Sequence, residues 1–109
     1  MSGDTAKTTK AVERLRRKIT VENLWMYVIR ILEKHGPLKA YEIKKKLEEE
    51  YGIKPATITA YVVVYKMRRE GLLETVAVGG DTLYKPTEKG LRALEEAKKI
   101  LEWARKALD

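Results

Sequence analysis

The stretch Lys54–Leu73, KPATITAYVVVYKMRREGLL, constrains the fold more than any other part of the chain. Pro55 suits the first turn of a helix, where a missing N–H is not needed, and Gly71 suits its end, where a left-handed residue stops it. Roughly four turns of helix fit between them. From Ile58 to Met67 apolar side chains recur almost all round that helix, more than a surface helix with one buried face requires. Its cations are Lys54, Lys66, Arg68 and Arg69, and no acid occurs before Glu70. Hydroxyls at Thr57 and Thr59, an aromatic hydroxyl at Tyr61 and cations towards the end form an inventory for lying against nucleic acid. The same composition also describes a core helix with solvated basic residues.

With 109 residues the chain forms one domain with a modest core. Cysteine is absent, which excludes disulfides, thiolate catalysis and zinc–cysteine sites. No apolar run approaches the roughly 18 residues of a membrane span, and the start MSGDTAKTTK has no apolar h-region, so a cytoplasmic address is expected. The net charge of +7, from 23 cations and 16 anions, favours a polyanionic partner and a nucleoid association. It is uneven: residues 1–20 hold six cations against two acids, a net of four. Glutamine is absent and Lys, Arg and Glu abound, a composition associated with thermophile proteins.

Periodicity orders the rest. Val12, Leu15 and Ile19 predict a basic accessory helix over Lys10–Lys18. Val21, Leu24, Trp25, Val28, Ile31 and Leu32 predict a second helix, Val21 to His35, stopped by Gly36-Pro37. A third runs from Lys39 to Tyr51 with Ala40, Ile43 and Leu47 inwards. A connection through Gly52-Ile53-Lys54 then sets the Pro55 helix across it, a helix-turn-helix arrangement. Leu73–Val78 and Thr82–Lys85 read as strands about a Gly79-Gly80-Asp81 turn. Thr87 caps a last helix, Glu88 to about Leu108, about 31 Å long at 1.5 Å per residue. Its seam of Leu94, Ala97, Leu101, Ala104 and Leu108, with Trp103 beside it, has coiled-coil spacing over two heptads.

The fold class expected is mainly α (α+β): a winged helix-turn-helix with a two-stranded β-wing, an N-terminal accessory helix and a long C-terminal dimerisation helix. Its parts are residues 1–20 (extension), 21–87 (helix-turn-helix and wing) and 88–109 (dimerisation). The order and spacing of Gly36, Pro37, Leu38, Tyr41, Glu42 and Ile43, then Glu70, Gly71, Leu72 and Leu73, then Tyr84, Thr87 and Gly90, resemble the winged-helix domain of the PadR family of transcriptional regulators. The resemblance covers about Val21 to Gly90. Where that family carries Gly-Thr-Leu-Tyr at the start of its recognition helix, this chain reads Ile58-Thr59-Ala60-Tyr61, and Pro86 replaces a leucine in the wing exit.

The resemblance implies a homodimer on double-stranded DNA, with helix 55–70 in the major groove and wing 73–86 on the flanking backbone. Thr57, Thr59 and Tyr61 would lie near base edges or phosphates, and Tyr65 on the same face. Lys54, Lys66 and Arg69 would hold phosphates, and Lys85 would serve the wing. Pairing through Leu94, Ala97, Leu101, Trp103, Ala104 and Leu108 would space two half-sites roughly 34 Å apart. Aligned on the family, Ala60, Val63, Val64 and Met67 face the core, which leaves Ile58 and Val62 on or near the outward face. The N-terminal helix, thymine methyls or a partner protein are the three ways to cover them.

Nothing in the sequence assembles a catalytic site: no nucleophile–base pair, no glycine-rich phosphate loop and no cluster at metal spacing. The one histidine, His35, is expected to cap carbonyls at a helix end. Glu48–Glu50 reads as a solvated face, and Trp25 and Trp103 as core or interface residues rather than a flat-ligand pocket. No cofactor, metal or enzymatic activity is expected. A protein-interaction winged helix and a non-specific chromatin-like DNA coater are the alternatives in other classes.

Overall fold

The computed structural model describes residues 8–109. Helix α1 (Lys10–Lys18) leads through a 3-10 turn (Val21–Asn23) into α2 (Leu24–His35), followed by α3 (Ala40–Tyr51), α4 (Thr57–Arg69), strands β1 (Leu73–Val78) and β2 (Asp81–Pro86), and α5 (Glu88–Ala107). Helix α2 is the hub, touching α3, α4, α5 and β2. Its Leu24, Val28, Ile29, Ile31 and Leu32 are buried, and against them pack Ile43 and Leu47 of α3, Val64 and Met67 of α4, Leu73 of β1 and Leu94 of α5. Because α2 is enclosed on more than one side, Ile29 is buried although it lies off the expected stripe.

Two boundaries differ from expectation. Val21–Asn23 is not part of α2: Asn23 Nδ2 donates to the Lys18 carbonyl while Trp25 Nε1 donates to Asn23 Oδ1 at 3.2 Å, so Asn23 shapes a tight corner and Val21 is left exposed. Pro55 does not open α4 either. Its ring is buried in the connection, the chain stays extended through Ala56 (φ −59, ψ 148), and α4 starts at Thr57 with no side-chain cap. The turn between α3 and α4 is therefore Gly52–Ala56.

Helix ends elsewhere follow local chemistry. Gly71, at φ 82, closes α4: its N–H donates to the Arg68 carbonyl and the Leu72 N–H to Met67, the paired bonds of a Schellman stop. Gly79 and Gly80, at φ 56 and 85, make a two-residue turn of the I′ kind between Val78 and Asp81. The resulting hairpin is anchored at its base, where Leu38 and Tyr84 exchange both backbone hydrogen bonds (3.2 and 2.8 Å).

Strand β1 and helix α5 are locked at one node. The Leu72 carbonyl accepts from the Thr87 N–H (3.1 Å), and Thr87 Oγ1 donates to the Gly71 carbonyl (2.5 Å) while accepting from the Gly90 N–H (3.0 Å). A Cβ on Gly90 would stand 2.2 Å from the Leu72 oxygen and 3.0 Å from Ile29 Cδ1. Only glycine lets α5 pass this close.

Helix α5 is divided along its length. Gly90, Leu94 and Ala97 are buried in the core of their own chain, so the core runs past the expected boundary at residue 88. Beyond them Ile100, Leu101, Trp103 and Leu108 are exposed. Helix α1, capped by Thr9 Oγ1 on the Val12 N–H (3.2 Å), buries no residue, and its Val12, Leu15 and Ile19 stripe faces outwards.

His35 does not cap carbonyls. Its Nε2 meets Glu50 Oε2, and Lys34 reaches the same carboxylate at 3.2 Å on Oε1, so α2 and α3 are clamped at their C-terminal ends and Glu50 is no free solvated acid. The hydrogen bond with His35 holds the Glu50 carboxyl below its ordinary value; burial opposes the shift and Lys34 adds to it. A depressed folded-state pKa stabilises at pH above the unfolded carboxylate value, and that stability disappears as pH falls through the lower folded value. Acid titration of Glu50→Gln should therefore show a shallower loss of stability below about pH 4.5 than the wild type; parallel acid limbs would contradict the clamp. Gly90→Ala should lose about 1–3 kcal/mol or more from overpacking, a fall in melting temperature of at least several degrees. An unchanged melting curve would show that α5 passes Leu72 with room to spare.

Candidate nucleic-acid interface

Helix α4 turns Ala60, Val64 and Met67, at spacings of four and three, into the core, with Val63 half-buried beside them. Opposite that ridge, at i, i+4, i+7 and i+11, stand Ile58, Val62, Tyr65 and Arg69. Ile58 is 77% exposed, Val62 43% and Tyr65 54%, and the Arg69 guanidinium lies 5.8 Å from the Tyr65 ring centre. This outward line is mostly apolar and ends in a cation. Thr57, Tyr61 and Arg68 flank it on one shoulder, Thr59 and Lys66 on the other. All of these are exposed, as is Lys54 in the preceding turn. With α1 in place, Ile58 and Val62 remain uncovered, which removes the N-terminal helix of the same chain as their cover.

Net charge separates α4 from its surroundings. Lys44 with Glu48 (2.6 Å), Arg92 with Glu88 (3.0 Å), Lys98 with Glu95 (2.9 Å) and Arg105 with Glu102 (3.2 Å) neutralise one another along α3 and α5. Among the described residues, Lys54, Lys66, Arg68 and Arg69 have no acid within ion-pair distance, and neither have Lys10, Arg14 and Arg16 of α1. Lys45 of α3 and Lys89, Lys99 and Lys106 of α5 are also without a paired acid among the described residues, but residues 39–51 hold four cations and four acids and residues 88–109 six and five. The net positive charge therefore lies on α1 and on residues 54–70, with four cations against one acid. The wing is different: Lys85 stands 4.0 Å from Glu74, and Lys39, at the foot of α3, reaches Asp81 at 3.9 Å. A phosphate reaching Lys85 would compete with its acid.

The other expected site residues are not brought together. Leu94 and Ala97 pack inside their own chain; Leu101, half-buried Ala104 and Leu108 lie further along α5, with Trp103 69% exposed. Trp25 is half-buried on a cleft of about 360 Å³ shared with Val21, Val63, Met67 and Leu72, away from Trp103. No group of three or more His, Cys, Asp or Glu side chains suited to a metal occurs among the described residues, and no helix among them is long and apolar enough to cross a membrane. Sequence reasoning takes Thr57, Thr59 and Tyr61 as the residues near bases or phosphates and, aligned on the family, leaves Ile58 and Val62 on or near the outward face with thymine methyls as one of three covers; it passes over Arg68. The spacing opposite Ala60, Val64 and Met67 puts Ile58 and Val62 on the outward line.

No family model and no curated sequence matches the chain. Its backbone does match solved structures. A transcriptional regulator from Clostridium thermocellum superposes with a TM-score of 0.72 at 16% identity, covering 93% of this chain and 94% of its own. A PadR family transcriptional regulator from Eggerthella lenta gives 0.70 at 24% identity, covering 90% and 88%. A winged-helix DNA-binding protein from STIV gives 0.66 at 15% identity, covering 76% and 90%. The fold is a winged helix. In that frame α3 and α4 are the helix-turn-helix, β1 and β2 are the wing, and the PadR resemblance read from the sequence coincides with the structural likeness.

Proposed function

We propose that the protein is a homodimeric transcriptional regulator that binds double-stranded DNA sequence-specifically, with α4 in the major groove and the wing against the flanking backbone. The observation that carries this reading is the local excess of positive charge at α4: residues 54–70 hold four cations, Lys54, Lys66, Arg68 and Arg69, against the single acid Glu70, and none of the four has an acid within ion-pair distance among the described residues. Such cations suit phosphates on either side of a groove, and the helix between them is free of acids. Helix α1, basic on one side, is a second source of phosphate contacts.

Dimerisation is supported by two uncovered apolar surfaces, the Val12, Leu15 and Ile19 stripe of α1 and the distal half of α5 with Leu101, Trp103 and Leu108. A seam of two heptads is short for an independent coiled coil, so the two surfaces together supply the area a stable pair needs. Leu101→Asp should convert a dimer into a folded monomer by light scattering at micromolar concentration. A wild-type monomer, or an unaffected variant dimer, would refute this arrangement. Leu94 is unsuitable for the test because it belongs to the core.

Salt separates the classes of function. Affinity for duplex DNA should fall with a log–log slope of about −0.9 per phosphate neutralised. Lys66→Ala, which removes one such cation per subunit, should weaken all sequences alike and flatten the slope by about one for each phosphate no longer neutralised. Absence of duplex binding at low salt would favour a protein-interaction winged helix. Equal affinity for every duplex would favour a DNA coater.

A further inference from the structure

We infer that α4 reads thymine methyl groups through Ile58, supported by Val62, so that the preferred half-site contains a thymine under the first turn of the helix. The inference rests on the DNA-binding reading above and specifies what its interface recognises. Its starting point is the outward line of α4: the residue furthest from the core on the first turn is an isoleucine 77% exposed, and one turn on is a valine 43% exposed. Their own chain leaves Ile58 largely bare and Val62 nearly half bare, and a branched aliphatic side chain has no hydrogen bond to offer a base edge or a phosphate.

Exposed aliphatic groups on a regular helix suit an apolar partner, and two kinds of partner present one: a hydrophobic protein surface or the major groove, where the thymine C5-methyl is the apolar group. The surroundings choose between them. Lys66 and Arg69 lie within two or three turns, Arg68 stands on the shoulder, Lys54 precedes the helix, and none is neutralised by an acid among the described residues. An apolar protein surface docked here would have to desolvate or compensate four cations. A duplex supplies phosphates on both sides of the methyl-bearing groove floor. Helices of this kind approach bases with their N-terminal residues, which is where Ile58 stands.

Thr59 and Tyr61 then occupy shoulders of the helix, positions suited to sugar and phosphate contacts. Base discrimination at the centre of the contact comes from shape and methyl burial. The readout is thus sensitive to a single carbon atom on the DNA.

Replacing thymine by deoxyuridine removes that carbon and leaves every hydrogen-bonding group in place. A preferred site is first selected by the full-length protein from random duplexes, and each thymine is then replaced singly. One or two positions per half-site should weaken binding by about fourfold each, the transfer value of one buried methyl. Ile58→Ala should bind the selected site more weakly, become indifferent to uracil at those same positions, and keep its low-salt affinity for random duplex. Its melting temperature should stay close to that of the wild type because Ile58 is mostly exposed and lies outside the core. Uracil tolerated at every position by the wild type, or a variant that keeps the wild-type uracil pattern, overturns the methyl reading while leaving DNA binding intact. No duplex bound at low salt, or no site selected, overturns the underlying reading and this inference with it.

Discussion

The carbonyl of Leu72 is the point on which the architecture turns. It ends the segment that leaves α4, receives the Thr87 N–H at the start of α5, and faces Gly90 so closely that a methyl group would stand 2.2 Å away. Through it three elements, α4, the wing and α5, are held to one geometry. The hydrophobic core alone would not do this, because apolar burial is non-directional and tolerates small shifts. The hydrogen bonds at Thr87 and the missing side chain at Gly90 supply the direction.

A second fixed point lies at the wing. The backbone exchange between Leu38 and Tyr84 ties the loop before α3 to β2, so that the hairpin is braced from its base although its tip is free. A two-stranded hairpin is marginal by itself. The Gly36–Ile43 run and the Tyr84–Gly90 run, separate in sequence, are the two sides of this brace. Their joint presence is what makes the resemblance between this chain and other winged helices legible at low identity.

Local chemistry is readable in the sequence and long-range pairing is not. Helix α1 starts and stops at the residues its apolar spacing predicts, and the Gly71 stop and the Gly79-Gly80 turn follow from backbone freedom at glycine. Helix α2 starts later than its periodicity predicts because Asn23 turns back to Lys18 and stops the helix from extending. Helix α4 starts after Pro55 because the proline ring is buried in the turn. The His35–Glu50 clamp joins residues 15 apart and has no sequence signature. At the candidate site the cations of α4 are visible from composition, and alignment on the family already leaves Ile58 and Val62 on or near the outward face; that α1 does not cover them is a matter of long-range packing that no local pattern encodes. The seam on α5 illustrates the same limit: periodicity finds it, but only packing against α2 shows that Leu94 and Ala97 are already used within the chain.

The division of α5 makes it a lever with its fulcrum at Gly90. From there to Leu108 is about 27 Å at 1.5 Å per residue. A pivot of about 5° at the fulcrum would sweep the far end through roughly 2 Å, a large fraction of the roughly 3.4 Å that separates successive base pairs. In a pair joined at the distal ends, the angle fixed at Leu72 and Gly90 would therefore set the distance between the two reading helices. In such a pair on DNA, a glycine remote from α4 would be the gauge of half-site spacing.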